Sequence, residues 1–232
     1  MNSIKQIEVI YNNRLVGRLA LTREGLCAFE YSAEWLSSGF SISPFELPLR
    51  SGVFIAKPRP FEGGFGVFDD CLPDGWGLLI LDRYLQQKGI NPCTLTLLDR
   101  LALVGSTGRG ALEFRPDNSV VTRQDFADFE KLALEAEKIL ASDDYMGEGI
   151  EEFQDRGGSP GGARPKIFVR YNDKEWLVKF RAKRDSQSIG VDEYRYSLLA
   201  KECGIEMPET RLFEGKYFGV ERFDRTLGGK LH

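Results

Sequence analysis

The residues whose types and spacing could do chemistry lie in the second half of the chain. Gly157-Gly158-Ser159-Pro160-Gly161-Gly162-Ala163-Arg164-Pro165-Lys166 holds four glycines in its first six positions. Without Cβ atoms in the way, backbone N–H groups of such a loop can approach an anion, and Arg164 and Lys166 add positive charge. Read alone, the same stretch is also what a flexible linker looks like. It fits neither the P-loop pattern nor the dinucleotide Gly-x-Gly-x-x-Gly pattern. Downstream, Trp176-Leu177-Val178-Lys179-Phe180 sets one lysine among large apolar neighbours, and Glu193 follows 14 residues after it. The run Phe218-Gly219-Val220-Glu221-Arg222-Phe223 comes later. A glycine-rich turn, a strand lysine, a helix glutamate and a further strand that can offer backbone groups to adenine are, in that order, the parts of a nucleotide-dependent kinase. The chemistry they point to is phosphoryl transfer.

Other chemistries are excluded by composition. Gly157-Gly158-Ser159-Pro160-Gly161 matches Gly-x-Ser-x-Gly by letter. The hydrolase elbow, however, uses the N–H of the residue after the serine, and Pro160 has none. The single histidine, His232, is the last of 232 residues, so neither a two-His metal site nor an internal His base can be built. Cys27, Cys71, Cys93 and Cys203 form no Cys-x-x-Cys pair and read as free thiols in or near a core. A net charge of −4 argues against a surface that coats nucleic acid. No apolar run approaches the length of a membrane span and the start has no signal layout, so a cytoplasmic protein without membrane contact is expected.

The elements that must position these residues follow from periodicity. Ile4–Tyr11, Leu15–Leu21 and Leu26–Tyr31 read as strands, with Asn12-Asn13 as a turn. Ser37–Gly66 reads mostly as loop. Pro73-Asp74 opens a helix stopped at Gly89, and a second runs from Thr94 to Val104. Gly110–Arg115 is a strand. Thr122 with Asp125 resembles a capping box, and Phe126, Phe129, Leu132, Ala133, Ala136, Ile139 and Leu140 mark one face of the helix that follows. Ser142–Asp155 then holds six acidic and no basic residues, whereas Arg156–Arg184 holds nine basic and two acidic. This break places a domain boundary near residue 150, giving segments 1–150 and 151–232. In the second, Lys166–Tyr171 and Glu175–Phe180 form a hairpin. Val191–Cys203 is a helix with Tyr194, Leu198 and Leu199 on its buried side. Thr210–Phe213 and Tyr217–Phe223 form a further strand pair.

The chain resembles the HipA family of serine/threonine kinases, the toxin half of bacterial toxin–antitoxin pairs. The resemblance is carried by Gly161-Gly162-Ala163-Arg164-Pro165-Lys166, Val178-Lys179-Phe180, Glu193-Tyr194, Gly204-Ile205-Glu206-Met207-Pro208 and Val220-Glu221-Arg222-Phe223-Asp224-Arg225. Earlier in the chain it is carried by Glu34-Trp35-Leu36, Leu47-Pro48-Leu49, Phe68-Asp69-Asp70-Cys71-Leu72-Pro73-Asp74 and Gly108-Arg109-Gly110-Ala111-Leu112. It implies an α+β fold: a mixed amino-terminal subdomain of antiparallel strands plus helices, then a kinase N-lobe-like antiparallel sheet with one helix. It further implies that Gly161 to Lys166 form the phosphate-side loop, that Lys179, paired with Glu193, binds phosphate, and that Glu221, Arg222 and Phe223 form the adenine hinge. Ser159 matches a regulatory autophosphorylation site, where added charge would repel nucleotide phosphates. ATP and Mg²⁺, an aminoacyl-tRNA synthetase as substrate, and a HipB-like helix-turn-helix antitoxin that holds operator DNA are implied likewise.

The family pattern continues past the hinge into an all-helical lobe with the catalytic-loop aspartate and the Mg²⁺-holding aspartate. Neither can be assigned here, and Asp224 belongs to the hinge motif. The sequence is therefore expected to be an amino-terminal portion, without a catalytic residue or metal ligand of its own, inactive until joined by a carboxy-terminal kinase half. An apolar face is expected where that lobe packs. The alternatives are a non-catalytic interaction module that restrains a partner kinase or binds an antitoxin, and direct nucleic-acid binding through 156–184.

Overall fold

The structure, a computed structural model, describes residues 4–108, 110–119, 127–157, 162–226 and 229–231. In chain order the elements are β1 (Gln6–Tyr11), β2 (Arg14–Leu21), β3 (Cys27–Tyr31), α1 (Ala33–Ser38), β4 (Val53–Ile55), α2 (Gly66–Asp69), α3 (Gly75–Gln87), α4 (Leu97–Val104), β5 (Leu112–Arg115), α5 (Phe129–Ala141), α6 (Gly149–Gly157), β6 (Lys166–Tyr171), β7 (Lys174–Lys179), α7 (Ile189–Glu202), β8 (Thr210–Phe213) and β9 (Tyr217–Glu221). The α+β class with antiparallel sheets is as the sequence predicts.

Contacts divide the chain into two units. Unit 1 comprises 1–73, 91–120 and 229–232, and unit 2 comprises 74–90 and 121–228. This division is not the single cut near residue 150 suggested by charge. Helix α3 lies in unit 2, because Trp76 and Ile80 are buried in its core beside Phe129, Phe153, Trp176 and Phe213.

Unit 1 is built on a five-stranded antiparallel sheet in the order β4-β3-β2-β1-β5. Asn12 and Asn13 both take positive φ (45° and 61°), the conformation that joins β1 to β2. Alternation along β3 sends Cys27, Phe29 and Tyr31 into a core with Trp35, Phe68, Leu98 and Phe114. Thr96 and Asp99 close a reciprocal capping box at α4, so the helix begins at Leu97 rather than at Thr94 as read from the sequence. Burial pushes the Cys27 thiol up to about 11. Cys27 and Cys71 are buried, while Cys93 and Cys203 lie on the surface rather than in a core. Native alkylation at neutral pH should therefore add two labels, and denaturation the remaining two, as read by intact mass.

In unit 2, β6, β7, β9 and β8 make an antiparallel sheet in that order. Asn172 and Asp173 turn β6 into β7 with φ of 50° and 59°. Trp176, Val178 and Phe180 point to one face, where α3, α5 and α6 supply the rest of the core. Helices α3 and α7 both end in a left-handed glycine. Gly89 N–H donates to Gln86 O and Ile90 N–H to Leu85 O. The same pair of bonds recurs at Gly204 and Ile205, to Lys201 O and Ala200 O.

One face assignment is corrected. Leu198 and Leu199 on α7 are 40% and 52% exposed, whereas the sequence reading buried them. The helix instead turns Gly190 and Ser197 inward. A Cβ at Gly190 would overlap the carbonyl of Lys216, and Ser197 Oγ donates to Thr210 Oγ1 at 2.9 Å. So close an approach to the sheet admits only small residues, and the leucines are left outside. Thr122, Asp125, Phe126, Arg109, Ser159, Gly161 and His232 lie outside the described residues.

Candidate functional site

Because side chains alternate along a strand, Lys179 faces away from the core that holds Trp176, Val178 and Phe180. Its face is the one α7 covers. Glu193, in the second turn of α7, meets it there: Lys179 Nζ lies 2.8 Å from Glu193 Oε2. The Lys179 side chain is 33% exposed and Glu193 22%, so the pair is half-buried but still open to an incoming anion. Phe218 on β9 lies beneath the ammonium, 5.3 Å from the ring centroid.

The described end of the glycine-rich loop arrives at the same place. Gly162 has φ +88°. Ala163 and Arg164 are exposed, while Pro165 is buried and its carbonyl accepts from Phe180 N–H at 2.8 Å. Arg164 grips Asp185 with Nε and Nη2 at 2.8 and 3.0 Å, and its Nη1 is 4.0 Å from Glu193 Oε1. That fork, together with the Ala182 N–H, holds the Asp185 carboxyl below its ordinary range. Lys166 sits opposite Lys179 in the strand register and donates from Nζ to Gly162 O at 3.2 Å. Three cations (Arg164, Lys166 and Lys179), a carboxylate on the helix and the loop end thus share one small region.

On β9, Glu221 N–H donates to Glu209 O and Arg222 N–H to Glu175 O, both at 2.8 Å. The Glu221 carboxylate is 2.9 Å from Lys174 Nζ. Arg222 is directed inward: it stacks on Phe168 at 4.3 Å and pairs with Asp224 and Glu175. Phe223 is 74% exposed, and its N–H has no partner among the described residues. Of the three positions that the sequence reading assigns to a hinge, Phe223 is the one with an exposed side chain and a backbone N–H without a partner among the described residues, while Arg222 is held by its partners.

With this geometry in hand, comparison with family models matches residues 7–115 to the HipA N-terminal domain and 158–232 to the HipA-like C-terminal domain. The chain belongs to the HipA family. No curated protein matches it. HipA-family kinases are generally ATP-dependent, and the family implies a HipB-type antitoxin partner in general. Its two HipA-family domains suggest a HipA-like toxin kinase. Helix α3 falls in the stretch matched to the HipA N-terminal domain, yet it packs in unit 2 with the stretch matched to the HipA-like C-terminal domain.

The structure of this HipA chain also changes how its basic stretch reads. Arg156 approaches Glu152, Arg164 pairs with Asp185, Arg170 with Asp173, Lys174 with Glu209 and Glu221, Lys179 with Glu193, and Arg181 with Glu137. A run that is strongly positive in sequence is thus partly neutralised in space, which weakens the case for phosphate-backbone binding, while Lys183 and Arg184 stay exposed with no ion pair among the described residues. Among the described residues no helix is long and apolar enough to cross a membrane.

Two carboxylates that the sequence reading did not single out belong to this region. Asp185 orients Arg164, and Asp74 accepts from the N–H of Gly162 at 2.7 Å. Only the neighbouring Arg181-Ala182 turn could have hinted at the first. Asp224 has a further consequence. Burial works against its ionisation, but the Arg222 hydrogen bond and the Arg222 and Arg225 charges win and lower its pKa. A depressed folded-state value stabilises the fold above the ordinary carboxylate range, and that gain is lost as pH falls through the folded value. Asp224→Asn should cost about 1 kcal/mol at neutral pH. In thermal melts its gap from the wild type should close below about pH 4.

Proposed function

We propose that unit 2 binds ATP and that the chain serves the serine/threonine kinase reaction of a HipA-type toxin, directed at a translation component such as an aminoacyl-tRNA synthetase. The observation that carries this reading is the Lys179–Glu193 ion pair, formed where α7 meets the sheet beside the end of the glycine-rich loop. In it, Lys179 binds nucleotide phosphate and Glu193 holds the lysine extended. Gly161, Gly162, Ala163, Arg164, Pro165 and Lys166 line the phosphate side, while Glu221, Arg222 and Phe223 seat the adenine. A phosphate on Ser159 would oppose nucleotide entry by charge. A HipB-like antitoxin, and operator DNA through it, are the partners this reading carries, with a carboxy-terminal kinase half completing the reaction.

Among the described residues no group of three or more His, Cys, Asp or Glu side chains is placed to hold a metal ion. In this reading the residues of the chain contribute positive charge on the phosphate side, a part of the positioning and charge neutralisation that phosphoryl transfer needs. Titration calorimetry of the purified chain with ATP tests the reading: weak, saturable binding is expected of the chain without a carboxy-terminal kinase half, and its absence at millimolar ATP would sink the nucleotide site in this chain.

A second reading, the interaction module, shares one feature with the first, an exposed apolar face on which a partner could pack. Tyr196, Leu198 and Leu199 on α7 are exposed, and so are Ile205 and Phe223. A pull-down in which neither a kinase half nor a helix-turn-helix antitoxin is retained would remove it.

A further inference from the structure

The end of the glycine-rich loop is clasped by a helix that comes from far earlier in the chain. Asp74 stands at the N-cap position of α3, but its carboxylate does not cap its own helix. Asp74 Oδ1 instead accepts the N–H of Gly162, 88 positions away, at 2.7 Å. The carbonyl of the same glycine accepts from Trp76 N–H at 2.9 Å and from Lys166 Nζ at 3.2 Å. Both polar groups of the Gly162 backbone are thereby tied. Gly75 lies between the two gripping residues, with φ +46°. A Cβ there would come within 2.7 Å of Gly162 C and O and 2.9 Å of Ala163 N. The backbones touch because neither position carries a side chain. Trp76, buried at 2% exposure among Ile80, Phe153 and Trp176, makes the start of α3 an anchor rather than a loose end.

From this we infer that Asp74 is a positioning residue for nucleotide binding: it sets the conformation of Gly162, and so the direction in which Ala163 and Arg164 leave the loop beside Lys179 and Glu193. The inference rests on the nucleotide-binding reading above and adds a residue from the stretch matched to the HipA N-terminal domain. An anionic acceptor on a backbone N–H makes a strong hydrogen bond. It fixes the backbone at Gly162 before the nucleotide arrives, so that ATP does not have to order that residue itself.

The test uses the full chain with Asp74→Ala and Asp74→Asn, the second of which keeps an oxygen acceptor. Gly162 amide exchange by NMR, ATP affinity by calorimetry and the thermal midpoint are read on all three proteins. Expected results are a protected Gly162 amide in the wild type and its loss in Asp74→Ala. ATP affinity should fall about tenfold in that variant, recover mostly in Asp74→Asn, and change with little shift of the midpoint. Equal exchange at Gly162 in wild type and Asp74→Ala overturns the clasp. So does an ATP affinity that Asp74→Ala leaves unchanged, and so does a loss that tracks a falling midpoint without rescue by Asn, which marks a merely structural role. A wild type that binds no ATP while Gly162 stays protected removes the nucleotide reading and the positioning role with it, but leaves the hydrogen bond standing, so the two failures are distinguishable.

Discussion

Lys179→Met is expected to weaken ATP binding by at least about tenfold while leaving the thermal midpoint nearly unchanged. The two halves of that expectation have different causes. Lys179 and Glu193 are 33% and 22% exposed, and an ion pair that solvent can reach adds little to stability. Glu193 is also not stranded by the change, since Arg164 Nη1 remains 4.0 Å from its other oxygen. A nucleotide phosphate, by contrast, loses the cation that β7 aims at it, and methionine keeps the stem without the charge. Glu193→Gln should act in the same direction but more weakly, because the lysine stays and only its orientation is released. The double variant should cost less than the sum of the singles, since the two side chains act as one unit. Calorimetry on the four proteins reads this directly. Wild-type affinity in Lys179→Met would take the lysine out of the site.

Trp176→Ala should have the larger effect on stability, about 3–5 kcal/mol, out of a total of about 5–15 for a typical domain. The ring is 2% exposed on the central strand β7, three residues before Lys179. It packs edge-on against Phe213 with centroids 5.5 Å apart, and its Nε1–H donates to Tyr171 O at 3.2 Å. Truncation opens a cavity between sheet and helices and leaves that carbonyl short of a donor. Trp176→Phe keeps most of the volume and should lose less than half as much. Urea unfolding followed by far-ultraviolet circular dichroism measures both. A midpoint for Trp176→Ala matching the wild type would mean that the ring is not part of the cooperative core.

Much of the site was legible because its parts are local. The β6–β7 hairpin is set by alternation and by Asn172-Asp173 in left-handed conformation, and Gly89 and Gly204 stop α3 and α7 as their positions suggest. Once strand and helix are known, alternation puts Lys179 opposite the Trp176 face, and a position early in α7 brings Glu193 within reach. Helix α6 was not legible. Its buried anchors, Ile150 and Phe153, are too few to mark a periodic face, and the acidic residues around them looked like a boundary. The face of α7 was misread for a related reason. The apolar stripe is the stronger pattern, yet closeness to the sheet selected Gly190 and Ser197 instead.

By itself, then, the sequence determined the order of strand, lysine, helix and glutamate, and with it the family, since periodicity and turn preferences act over a few residues. Only the tertiary structure decided which charges cancel across 156–184, that α3 belongs with the sheet of β6 to β9, and that Asp74 holds Gly162. Those contacts join positions far apart in the chain, and a hydrogen bond from one carboxylate to a backbone N–H leaves no residue pattern to read.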